Sequence, residues 1–194
     1  MQPSIYLQNE DYGLFGLEAD TGIDDVIKAS GLIDAYCQRP EGLMYDSNTL
    51  TMRVTGQPIK ELVRVPFTGQ VVFTRSPVVN ILTIASWNGL SYVNITNRSG
   101  EALDEDSGFY VVPFNALRCT KCQFTYVAGY DSYLNLPFPV KQATANVIKA
   151  FADNCDMGGN IKSQKAGDAE IERFKDTIFD SDTRSLLGRW VRVA

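Results

Sequence analysis

The hydrophobic pattern of this chain changes period twice, and those changes limit the folds it can reach. From Thr21 to Cys37 (TGIDDVIKASGLIDAYC) the apolar residues Ile23, Val26, Ile27, Ile33, Tyr36 and Cys37 follow a helical spacing. From about residue 50 to 129 the composition shifts to Thr, Val, Ile and aromatics, and VRVPF, QVVFT, NILTIASW, YVNIT, FYVVPF and CQFTYVAGY read as strands. From Pro139 the helical period returns, with Val140, Val147, Ile148, Phe151 and Cys155 on one stripe. Two helices with one apolar face each cannot bury those faces alone. They are expected to pack on each other, with the β block inserted between them.

Local signals sharpen these elements. Thr21 and Asp24 form a capping-box-like start, and Asp24 and Asp25 suit the positive end of the helix dipole. Gly31 weakens the middle of that helix and leaves room for a break or kink, and Arg39-Pro40 ends it. Asn88-Gly89 marks a hairpin turn, and the acidic EALDEDSG segment reads as a loop. In YVAGYDSYLNLPFPV, Gly129 is expected to supply a flexible turn, with Pro139 in the first position of the next helix. That helix should end near Asp156, ahead of Gly158-Gly159. AEIERF is compatible with helix or strand, and DTRSLLGRWVRV reads as a short helix with Leu186, Leu187, Trp190 and Val191 on one side.

The fold class is therefore α+β: a small helical bundle with an inserted antiparallel β-sheet block, then a C-terminal extended arm and short helix. The expected parts are an N-terminal helical part (1–49), the β block (50–129), a second helical part (130–160) and the arm with its helix (161–194).

Composition excludes much chemistry. The 194 residues include no histidine, which removes Ser-His-Asp and Cys-His nucleophile pairs and every histidine-containing metal site. The net charge of −5 opposes general DNA binding, which needs clustered Lys and Arg. Of the 4 cysteines only Cys119 and Cys122 form a CxxC pair, so a four-thiolate zinc site lacks its second pair. Buried reduced thiols are the expectation, with no cofactor and no metal. GGNIKSQKAG lacks the GxxxxGK[ST] pattern and a preceding strand, and DEDSG lacks the ligand spacing of a calcium loop. No stretch is long and apolar enough for a membrane span, and MQPSIYLQNEDYG lacks a signal-peptide pattern, so the chain is expected to stay in the cytoplasm where it is made. NIT and NRS are then chance sequon matches. Trp190 between Arg189 and Arg192 suits either an interface anchor or a cover for the chain's own core.

Taken in order, several segments resemble the head–tail connector (neck adaptor or head-completion) proteins of tailed bacteriophages. These are KASGLIDAYCQRP, FTRSPVVNILTIASWNG, CQFTYVAGYDSYLNLPFPVKQATANVIKAF, IKSQKAGDAEIERF and SLLGRWVR. The resemblance implies a structural virion protein and not an enzyme. It implies a cyclic homo-oligomer, usually of twelve copies, beneath the portal protein at the neck. Double-stranded DNA would pass through the channel without specific binding, and a stopper or tail-completion protein would dock below. It implies that AEIERF is extended, with Ile171, Arg173 and Phe174 in an arm between subunits. Leu186, Leu187, Arg189, Trp190 and Arg192 would face the portal. Other virion roles (tail completion, head decoration) and a CxxC metal-binding module are the alternatives.

Overall fold

A computed structural model describes residues 3–112, 119–156, 163–166, 169–172 and 178–191. The contacts divide the chain into two compact units. One comprises Ile5–Cys37 with Leu136–Val191, and the other is built on Gln38–Asn135. Among the described residues no helix is long and apolar enough to cross a membrane.

The helical unit begins with an extended N-terminal segment whose Tyr6 and Leu7 are fully buried. Tyr6 donates its backbone N–H to Ser30 Oγ (3.2 Å) and its hydroxyl to Asp34. A 3-10 turn (Asn9–Asp11) leads into the short helix α1 (Tyr12–Phe15), and Gly16, at φ 65°, ends it. Helix α2 (Ile23–Tyr36) packs on α3 (Phe138–Asp156) through Val26 and Ala29 on one side and Ala145, Val147 and Ile148 on the other. Lys141 pairs with Asp11 at 3.2 Å, and Lys149 Nζ donates to the Phe15 carbonyl at 2.6 Å.

Three local expectations need correction here. Gly22, not Thr21, is the N-cap of α2, and it has no side chain to cap with; the Thr21 hydroxyl donates backwards to the Glu18 carbonyl at 2.7 Å. Gly31 breaks nothing: α2 runs through it, because Gly31 lies exposed while Ser30, Ile33 and Asp34 around it are buried. Pro139 is the second helical residue and Pro137 precedes the helix, with the Pro137 carbonyl accepting from Val140 N (3.0 Å). Pro139 is tolerated there because first-turn N–H groups have no partner within the helix. The helix reaches Asp156 as expected; Gly158-Gly159 lies outside the described residues.

The β unit opens with the short pair β1 (Tyr45–Asp46) and β2 (Thr51–Met52). Strands β3 (Ile59–Arg64), β5 (Val78–Trp87), β6 (Tyr92–Asn94) and β9 (Lys121–Ala128) form an antiparallel sheet in the order β3-β9-β5-β6. A second antiparallel sheet has the order β4-β8-β7, from Gln70–Val72, Phe109–Val111 and Ala102–Asp104. The two sheets share one core, with Phe73 packed on Tyr110, Phe124 and Tyr126 (ring centroids 5.8, 5.2 and 4.6 Å). EALDEDSG is thus only partly a loop: Ala102–Asp104 pairs with β8, and Leu103 turns towards the core while Asp104, Glu105 and Asp106 stay in water.

The chain enters and leaves this unit at one place. Tyr130 N donates to the Leu43 carbonyl and Tyr45 N to the Tyr130 carbonyl, both at 2.9 Å. Arg39 Nη2 donates to the Ser76 carbonyl (2.8 Å), and Arg75 binds the Gln38 carbonyl (2.9 Å) and ion-pairs with Glu41. These bonds tie residues 38–45 and Tyr130 to the β unit, and the contact boundary falls at 37/38 and 135/136. After α3, β10 (Ser163–Ala166) and β11 (Ala169–Glu172) form a hairpin, and α4 (Ser181–Leu187) follows.

Gly129 is not the flexible turn its setting suggested. Its φ is 108°, its N–H donates to the Pro77 carbonyl at 2.8 Å, and a Cβ there would sit 2.2 Å from the Leu43 carbonyl oxygen. It is a closure point that only glycine fits. Replacing Gly129 by Ala should cost at least ~2 kcal/mol, from the left-handed backbone alone plus the clash. Gly31→Ala meets nothing within 4 Å and should stabilise the chain by about 0.5–1 kcal/mol. Urea denaturation midpoints moving in opposite directions for the two variants would confirm this; equal shifts would refute it.

Candidate functional site

The C-terminal element is built on a capped helix. Asp180, in extended conformation, accepts from Thr183 N at 2.6 Å, and its backbone carbonyl accepts from Arg184 N at 3.0 Å. The bonds from Thr183 hold the Asp180 carboxyl below its ordinary range. Thr183 itself is buried and accepts from Asn146 Nδ2 of α3 at 3.2 Å, and α4 packs on α3.

This packing sorts the five residues expected at a portal contact. Leu187 is fully buried and Trp190 is 5% exposed, so their side chains belong to the interior of this chain. Trp190 N donates to the Leu187 carbonyl at 2.9 Å, which folds the segment back after the helix. Leu186 is half-buried and Arg189 exposed. Arg192 lies outside the described residues, as do Arg173 and Phe174 of the expected arm. Ile171 lies in β11, opposite Gln164 of β10, so AEIE is extended.

The CxxC pair does not assemble into a site. Cys122 is buried in β9 within the core, while Cys119 is exposed in the preceding turn at φ 64°. Burial pushes the Cys122 thiol up, with the hydrogen bond between it and Thr120 acting against it. Among the described residues no group of three or more His, Cys, Asp or Glu is placed to hold a metal ion.

Exposed apolar surface gathers instead on the edges of the four-stranded sheet. On the β5–β6 hairpin Trp87, Leu90, Tyr92 and Val93 are all exposed, Leu90 at 90%, and Trp87 and Tyr92 pack ring to ring at 5.1 Å. The turn is a four-residue one, in which Asn88 Oδ1 accepts from Leu90 N and Ser91 N, both at 2.9 Å. At the other edge, β3 turns Ile59, Glu61 and Val63 inward and leaves Lys60, Leu62 and Arg64 in solvent. Glu61 is held inside by Tyr126, whose hydroxyl donates to it at 2.6 Å, and by the Thr74 hydroxyl at 3.1 Å. Burial, then the Glu61 charge, push the Tyr126 phenol up, so it stays a donor. An open groove of about 580 Å³ runs beside β3, lined by Gln57, Lys60, Leu62, Thr74 and Arg75 among others.

These edges were not among the residues singled out from the sequence. The signal was there: no charged residue occurs between Arg75 and Arg98, a long gap in a chain that is 21% charged. Surface strands ordinarily carry charge to prevent edge pairing.

No protein-family profile matches the chain, and no curated protein does. Solved structures do match in fold. A chain from the neck of an empty gene transfer agent (GTA) particle, computed with C6 symmetry, has a TM-score of 0.53 at 12% identity, covering 100% of this chain and 94% of its own. A chain from the virion of a native GTA particle has a TM-score of 0.54 at 12% identity, covering 97% and 91%. Similarity at this identity establishes a shared fold, over essentially the whole length of both chains.

The cap gives a test of the C-terminal element. Asp180→Ala should cost about 1 kcal/mol, and Asp180→Asn much less, since asparagine caps as well as aspartate. Because the folded-state pKa is lowered, this contribution is present above the unfolded-state value and is lost as pH falls through the folded one. Thermal melts at pH 7 and pH 2.5 should therefore show a wild-type advantage over Asp180→Ala that shrinks in acid; an undiminished gap would contradict the cap.

Proposed function

We propose that this chain is a structural protein of the neck of a phage-like particle, acting as a head-to-tail adaptor. The observation that carries this reading is the fold shared along the full length with a chain from a GTA particle neck. The motif resemblance to phage connector proteins supports the same reading independently of the coordinates.

In this role the chain forms a ring, of twelve copies by the family resemblance, beneath the portal protein and above a stopper or tail-completion protein. It extends the DNA channel without gripping DNA. A net charge of −5 suits that task, since phosphate contacts would oppose passage. Assembly takes place in the host cytoplasm. The portal contact draws on the accessible residues of the C-terminal element, Leu186 and Arg189, with Arg192 beyond them. Leu187 and Trp190 act from inside by fixing the course of the segment that carries them.

Cryo-electron microscopy of particles containing the chain tests the reading, using a small epitope tag and its Fab as a marker. The expected result is density at the head–tail junction, between portal and tail. Label on the capsid surface or the tail tip would replace the neck by a decoration or tail-completion role. Arg189→Glu should weaken co-purification with the portal at least tenfold while leaving the thermal midpoint within about 2 °C, since a surface change seldom exceeds ±0.5 kcal/mol.

A further inference from the structure

We propose that neighbouring copies of this chain join through the two edges of the four-stranded sheet, β6 of one copy adding to β3 of the next. The inference rests on the neck reading for the existence of a ring. What it adds is the surface that builds it.

Strand direction permits the joint. β5 is antiparallel to both β6 and β9, and β9 is antiparallel to β3. It follows that β6 runs antiparallel to β3. Copies placed head to tail thus continue the sheet as an antiparallel ladder, and such a heterologous contact is the kind that generates rings.

The main-chain groups and faces also match. Val65 N donates to the Thr120 carbonyl and Ile95 N to the Ile84 carbonyl, so alternate residues along each strand point inward. That leaves the N–H and C=O groups of Lys60, Leu62 and Arg64 on β3, and of Tyr92 and Asn94 on β6, directed away from the sheet. By the register Leu62↔Gln123↔Ala85↔Asn94, all five side chains lie on one face. Pairing at the same level sets Tyr92 opposite Arg64 and Asn94 opposite Leu62, with Val93 opposite Val63 on the core side.

The chemistry favours this pairing over a symmetric β3–β3 contact. Two β3 edges paired antiparallel about Leu62 would set Lys60 of each copy opposite Arg64 of the other, and like charges directly opposite are destabilising. A β3 edge against β6 instead sets Arg64 opposite Tyr92 of the Trp87–Tyr92 aromatic pair, a favourable cation–π setting. It also covers Leu62, Tyr92 and Val93, which are 65%, 37% and 49% exposed. The groove beside β3 provides the room.

The test uses cysteines in assembled particles. Leu62→Cys and Asn94→Cys are combined in a Cys119→Ser chain, purified particles are oxidised, and the chain is followed on non-reducing gels. The expected product is a ladder beyond dimer, with neither single-cysteine chain giving more than background. Incorporation without a 62–94 cross-link would overturn the edge-to-edge joint while leaving the neck reading intact. Dimers from a single-cysteine chain would show a symmetric contact and overturn it as well. A chain absent from particles would sink the neck reading, and this proposal with it.

Discussion

The β unit depends on the closure at its two ends. The chain departs from α2 at Cys37 and returns at Leu136, and the segments in between are fastened to each other before the sheets begin. Arg75 and Glu41 form an ion pair whose side chains are only 9% and 11% exposed, and the Gln38 and Ser76 carbonyls bind the two arginines around it. Gly129 lets the returning strand lie against Leu43 at a distance no other residue allows. A buried ion pair is a weak source of net stability, because desolvation offsets much of its attraction. Its value here is specificity: Arg75 left without Glu41 would be an uncompensated buried charge, so any other course of the loop is penalised. An inserted unit with adjoining ends leaves its host uninterrupted, which is how a helical framework accommodates some hundred residues of sheet.

That arrangement explains what was and was not legible in the sequence. Periodicity is a local signal, so the helix from Ile23, the helix to Asp156 and the main strands could be read directly. The closure is a long-range property. Nothing near Glu41 announces Arg75, and nothing near Gly129 announces Leu43, so the points where the chain is fastened leave no local mark. Gly129 looked like a flexible element for the same reason: the sequence carries the glycine but not the backbone pressed against it. The β7 strand was hidden by the acids flanking Leu103, which are on the outside of the sheet and say nothing about pairing.

The C-terminal element shows a different limit. An aromatic between arginines has two readings, anchor or core, and composition does not separate them. Burial of Trp190 decides its position but not the job of the segment, because Arg189 remains in solvent one residue away. A core residue can still govern an interface by setting the path of its neighbours. The surface that the sequence did mark, by an absence of charge from Ser76 to Asn97, is the edge of the sheet.

The length of that edge bears on when copies could join. β6 offers three residues, or about 10 Å of strand at ~3.3 Å per residue. A joint of that length forms few hydrogen bonds, each worth about 0.5–1.5 kcal/mol net. Bringing two free copies together costs on the order of 4–15 kcal/mol in lost translation and rotation. Even with the apolar contacts of Leu62 and Val93, a single joint is close to balance, and isolated copies stay apart. A platform that fixes each copy beside the next removes most of that cost, because the encounter becomes intramolecular in effect. A short, uncharged β6 edge then suits the proposed joint. It is too weak to pair in free solution and sufficient once a symmetric template has already aligned the copies. A longer β6 would favour pairing of free copies, and a charged one would resist the proposed joint.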